Sequence, residues 1–142
     1  MTKDDAKRLY QRLLTEVWNG DAAHAESIVS ADFVMHSAGI ASDEFKGPAG
    51  LRRLVANARA PFSSITFFVV LGPIVQDGLL AALWSAQGVY AGGVPGASAS
   101  PGTTVKFNGH DFLRFDKHHF VEYWGGTDDA DLMSQLGMFS KS

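Results

Sequence analysis

Acid–base chemistry in this chain is first sought at Asp111. It sits within residues 105–116, a run that reads as a long β-strand. Side chains alternate across a strand, so Gly109, Leu113 and Phe115 share one face with Asp111. Asn108, His110, Arg114 and Asp116 share the other face with Phe112. The first face is apolar apart from the carboxylate and is expected to point inward. Taken out of water, an Asp titrates above its ordinary range and becomes a usable proton acceptor or donor near neutrality. The same placement also fits a carboxylate simply held by a backbone N–H or a tyrosine hydroxyl, because buried polar groups are normally satisfied.

The remaining candidates are less sharply placed. His36 lies on a short strand, residues 33–37, where alternation with Met35 leaves its face open. On a strand over residues 119–124, Val121 and Tyr123 share one face, while Phe120, Glu122 and Trp124 share the other. Both faces are mixed, so periodicity does not choose between them. Trp84 shares a face with Leu80, Ala82 and Ala86 and reads as core before ligand platform. His118 and His119 are neighbours at a turn, would point apart, and have no third ligand at metal spacing. Asp128, Asp129 and Asp131 read as a helix cap with a solvated face. The Gly-rich stretch 92–104 lacks the strand-to-helix context and the lysine of a phosphate loop. No serine elbow is present. With no cysteine there is no thiolate nucleophile, disulfide framework or Cys-based zinc site. Neither a metal nor a cofactor is expected.

The elements that position these residues follow from periodicity. Ala6, Leu9, Tyr10, Leu13, Leu14, Val17 and Trp18 recur at helical spacing. Thr2 with Asp5 forms a capping box, and Asn19-Gly20 stops the helix. A shorter helix is expected from Asp21 towards Val29. Pro48 suits the first turn of a third helix burying Leu51, Leu54, Val55 and Ala58, which Pro61 ends. Beyond it the period falls to two. Strands are expected over 64–71, 79–91, 105–116 and 119–124, with Asp77-Gly78 as a hairpin turn. Asp128 and Asp131 cap a last short helix ending at Gly137. Helices gathered on one face of an antiparallel sheet make an α+β fold, and a curved sheet wrapped on a long helix leaves a cone with an open mouth.

Composition bounds the partners. The 142 residues read as one domain over 1–142, with 46% hydrophobic and 19% charged residues. A net charge of -3 and a pI of about 5.9 argue against nucleic acid. No apolar run reaches membrane-spanning length and the charged N-terminus is no signal peptide, so no membrane association and a cytoplasmic location are expected.

Three phrases then stand out in order: FVMH (33–36), HDFLRF (110–115) and VEYW (121–124), the last followed by DLMSQLG (131–137). Together with the element order they resemble the SnoaL-like polyketide cyclase family, within the nuclear-transport-factor-2-like superfamily that also holds ketosteroid isomerases and limonene epoxide hydrolases. The likeness covers nearly the whole chain. It implies a cone-shaped α+β barrel with a pocket between sheet and helices, lined by His36, Asp111 and Tyr123 with Trp84 beside them. Trp18, Leu113 and Val121 are expected to complete that lining. Two positions depart from the family pattern: Gly125 stands where many relatives carry Asp, and Tyr123 where many carry His.

The implied activity is cofactor-independent proton abstraction next to a carbonyl, as in cyclisation or isomerisation, on a small apolar oxygenated molecule. Asp111 would be the base, Tyr123 would donate to the developing oxyanion, and His36 would orient or relay. The alternative is a binding module of the same fold without turnover. Epoxide hydrolysis ranks last, because Arg114 faces away from Asp111 by strand parity. A homodimer is expected through Phe112, Phe120 and Trp124 on the face turned away from the pocket.

Overall fold

The computed structural model describes residues 1–36 and 45–139. Helix α1 (Lys3–Arg12) opens on the expected capping box: the Thr2 hydroxyl accepts from the Asp5 N–H, and the Asp5 carboxylate accepts from the Thr2 N–H. Its continuation, Leu13–Trp18, winds as a π-helical turn that buries Leu13, Leu14 and Val17 and leaves Trp18 half-buried. Helix α2 is only Ala25–Ile28, because Val29 already opens strand β1 (Val29–His36). The expected strand at 33–37 is therefore longer at its start, and Ser37 lies outside the described residues. Helix α3 (Gly47–Arg59) carries Pro48 in its first turn and buries Leu51 and Val55.

Strands β2 (Phe62–Gln76), β3 (Leu79–Tyr90), β4 (Thr104–Phe115) and β5 (Phe120–Thr127) follow, then helix α4 (Asp129–Gln135). Asp77 and Gly78 both adopt positive φ, as a two-residue hairpin turn of the primed type needs. The sheet order is β1-β5-β4-β3-β2, so the sheet is open between its edges β1 and β2. All pairings are antiparallel except β1 with β5, which run parallel. The architecture is α+β as expected, with that one parallel pair added.

Register shifts along β2, between 62 and 64, 69 and 71, and 71 and 74, bend the strand. A further shift at Arg114/Phe115 lets Phe120 and Tyr123 both face inward although they are three residues apart. This corrects the dimer-face expectation. Phe120 is fully buried, and Trp124 is half-buried between His36 and Arg114. Phe112 and its cross-strand partner Trp124 do share the outer face, with Phe112 the more exposed and next to Leu71, Ile74 and Leu83; only Phe120 is turned inward.

Candidate functional site

Strand β4 alternates as read: Val105, Phe107, Gly109, Asp111 and Leu113 are buried, and Lys106, Asn108, His110, Phe112 and Arg114 are exposed. Asp111 is only 2% exposed. Its register neighbours are Ala82 on β3 and Gly125 on β5, so little bulk flanks it. Three donors fill the space instead. Tyr10 from α1 donates its hydroxyl to Oδ2 at 2.7 Å. Tyr123 from β5 donates to Oδ1 at 2.8 Å, and the Trp84 indole N–H donates to the same oxygen at 3.1 Å.

Two glycines make this convergence possible. A Cβ at Gly109 would lie 2.0 Å from the Trp84 ring, and one at Gly125 would lie 2.0 Å from the Tyr123 hydroxyl. Both aromatic side chains lie across backbone that carries no side chain of its own. Burial pushes the Asp111 carboxyl above its ordinary range, and the bonds from Tyr10, Tyr123 and Trp84 oppose that rise. Burial first, and then the Asp111 charge, raise both phenols, so Tyr10 and Tyr123 stay protonated as donors.

Trp84 alone of this node reaches the cavity. The cavity measures about 530 Å³, and neither Asp111, Tyr10 nor Tyr123 lines it. Of the two readings of Asp111, the geometry favours the carboxylate held by tyrosine hydroxyls. Several expected site residues are also placed elsewhere. His36 is on the outer surface, where its Nε2 is 2.8 Å from a Glu122 oxygen and its ring stacks on Trp124. Inward-facing Phe33 and Met35 precede it at alternate positions, so strand alternation turns it out. Leu113 is fully buried core, and Val121 is half-buried where β5 leaves register; neither reaches the cavity. Trp18 and Trp84 do line it. Arg114 is on the outer surface, bonded to Glu122 and stacked over Trp124.

The cavity wall is an aromatic run. Trp18 meets Phe67 at 5.3 Å between ring centroids, Phe67 meets Trp84 at 5.3 Å, Trp84 meets Phe107 at 6.1 Å, and Phe107 meets Phe62 at 6.1 Å. Polar bonds to the backbone hold its outer end. Asn19 pairs with both backbone groups of Phe67, and Arg59 donates to the carbonyls of Trp18 and Ile65 at 2.8 Å. Leu54 and Ala58 of α3 form the facing wall, with Leu132 of α4 and Leu136 just past its end. Helix α4 docks through Gln135, whose amide pairs with both the N–H and the carbonyl of Lys106. The stretch 92–104 closes the same side: its Val94 reaches the cavity, and Ala99 and Ser98 donate to the carbonyls of Leu136 and Gly137.

Three polar residues also line the cavity, and none is singled out from sequence as a pocket residue: Asn57, Thr127 and Asp129. All three are exposed, unlike buried Phe67, Trp84, Phe107 and Leu136, so they mark the mouth. Asp129 reads in sequence as part of a solvated helix start, and it does sit in the first turn of α4. Only the docking of α4 on β4 brings it to the cavity, and no local pattern encodes that. Among the described residues, no group of three or more His, Asp or Glu could hold a metal ion.

Comparison with known proteins places this geometry. The family model of the SnoaL-like polyketide cyclases matches residues 8–136. No curated protein sequence matches the chain. Among solved structures, a candidate polyketide cyclase from Acidithiobacillus ferrooxidans superposes with a TM-score of 0.79 at 23% identity, over 95% of this chain and 96% of that one. IdmH from Streptomyces antibioticus, also a candidate polyketide cyclase, gives 0.79 at 21% identity, over 93% and 98%. AclR from Streptomyces galilaeus, a candidate hydroxylase, gives 0.80 at 19% identity, over 99% and 86%. At such identities the superpositions establish the fold alone, and one fold hosts many chemistries. The family model spans most of the chain, and these structures share its fold: the chain belongs to the SnoaL-like polyketide cyclase family.

Proposed function

We propose that the cavity holds a small, apolar, oxygenated molecule of polyketide-like character, and that the protein acts by binding and orienting it, with Asp111 serving the architecture of the wall. One observation carries this reading. Both oxygens of Asp111 are occupied by Tyr10, Tyr123 and Trp84, and the carboxylate does not line the cavity. A general base must come within hydrogen-bond reach of the proton it takes. The cavity itself has the size and the apolar lining, with a few polar groups, that suit small organic ligands. Its aromatic run offers flat surfaces for a fused-ring or conjugated body.

Binding of oxygenated aromatic probes such as 2-naphthol, followed by ligand-observed NMR, tests the reading. Binding is expected in the wild type and in Asp111→Asn, and is expected to be lost in Ala58→Trp, which fills the cavity from α3. If no probe of this class binds, or if Ala58→Trp binds as well as wild type, the reading fails.

Asp129 favours a second reading, because it lines the cavity. In that reading Asp129 takes a proton from the carbon next to a ligand carbonyl. The C–H electron pair passes to the enolate, whose carbon then attacks a second carbonyl of the same molecule, and the proton returns to the new alkoxide. Turnover would then fall by ~10²–10⁴ in Asp129→Asn, the usual worth of a positioned base, and survive Asp111→Asn.

A further inference from the structure

We infer that the cavity discriminates by ligand charge: it takes neutral ligands that carry a hydroxyl or another hydrogen-bond donor at their polar end, seats that end at the mouth, and rejects carboxylates. This deepens the binding reading above and rests on it.

The polarity of the cavity runs in one direction. Its interior side chains are aromatic and aliphatic, and the indole N–H of Trp84 among them is committed to Asp111. A ligand's oxygens gain nothing there, since a polar group buried without a partner is costly. At the mouth the position reverses. Asn57, Thr127 and Asp129 make no side-chain hydrogen bond to any described residue, so all three remain open to a ligand. Asp129 as a carboxylate can only accept, whereas Asn57 and Thr127 can donate or accept. A ligand hydroxyl can donate to Asp129 and accept from either of the other two.

Charge sets the discrimination. Among the described residues lining the cavity there is no Lys, Arg or His, and Asp129 is the one charged group. Arg59, on the adjoining end of α3, is turned to the carbonyls of Trp18 and Ile65 and does not line the cavity. A ligand carboxylate at the mouth would therefore face a like charge with no cation to offset it. The mouth is wet, so the repulsion is moderated by solvent and salt. A preference of about tenfold, or ~1.4 kcal/mol, is the scale to look for.

The test compares 2-naphthol with 2-naphthoate, two probes of the same apolar body, near neutral pH and low salt. The wild type is expected to bind the naphthol about tenfold more tightly, and the gap is expected to narrow in Asp129→Asn and at high salt. Thr127→Val is expected to weaken naphthol by a few-fold. Circular dichroism and the melting temperature confirm that both variants are folded. Equal or tighter binding of naphthoate by the wild type overturns the inference, as does a gap unchanged in folded Asp129→Asn. Loss of both probes in the wild type instead overturns the binding reading, so the two failures are distinguishable.

Discussion

Replacing Asp111 by Asn separates architecture from chemistry. In the wild type, Oδ1 accepts from Tyr123 and Trp84, and Oδ2 accepts from Tyr10. An asparagine can keep its carbonyl on the Oδ1 side, so Tyr123 and Trp84 retain their acceptor. Its amide then faces the Tyr10 hydroxyl, and at least one proton in that contact has no acceptor. A buried donor left in that state costs about 1–3 kcal/mol. Losing a carboxyl that burial already disfavours as an anion offsets part of this. The expected net cost of Asp111→Asn is about 1–3 kcal/mol, and Asp111→Ala, which strips all three donors and leaves a void, should cost roughly 3–5 kcal/mol. Against a total stability of about 5–15 kcal/mol for a domain of this size, the alanine variant approaches the limit of folding. Urea denaturation reads both costs, as a lower midpoint with an unchanged slope. Ligand binding by Asp111→Asn should stay within a few-fold of wild type, because Trp84 keeps its position in the wall. An asparagine variant that unfolds within about 0.5 kcal/mol of wild type, yet turns over a found substrate ~10² times more slowly, would refute the architectural role.

The Asp111 carboxyl is raised in the folded state, so the fold holds its proton over a pH range in which the unfolded chain has lost it. Its contribution to stability is therefore full below the ordinary Asp range and declines as pH rises through the folded value. The stability advantage of wild type over Asp111→Asn, measured by urea titration across pH, should shrink with rising pH; a widening gap contradicts this. Gly125→Ala places a methyl 2.0 Å from the Tyr123 hydroxyl and should cost about 1–3 kcal/mol, seen as a lower melting temperature. The outer surface of β2 to β4 exposes Leu71, Ile74, Leu83 and Phe112 at 64%, 69%, 44% and 48%. We propose that a second copy covers this patch, so Ile74→Glu should convert a dimer into a monomer by sedimentation at micromolar concentration; a wild type that sediments as a monomer removes the proposal.

What could be read from sequence was what short-range periodicity controls. Alternation along β4 turned Asp111 inward, the capping box started α1, and Asp77-Gly78 closed the hairpin. What stayed hidden depends on partners far along the chain. Tyr10 reaches Asp111 across 101 positions, β1 joins β5 in parallel, and a single register shift brings Phe120 and Tyr123 to the same side. Asp129 reads as part of a solvated helix start because its place at the mouth depends on where α4 docks.

The glycines were the readable signal that family likeness obscured. Glycine inside a strand marks close approach of other atoms, and Gly109 and Gly125 each admit an aromatic side chain that bonds to Asp111. A side chain at 125 and the Tyr123 hydroxyl would occupy the same space. An acid at that position therefore excludes the Tyr123–Asp111 bond, and the bond excludes the acid. The departure at 125 is then the structural counterpart of the buried node, and the second reading proposed above turns on Asp129, the charged residue that lines the cavity.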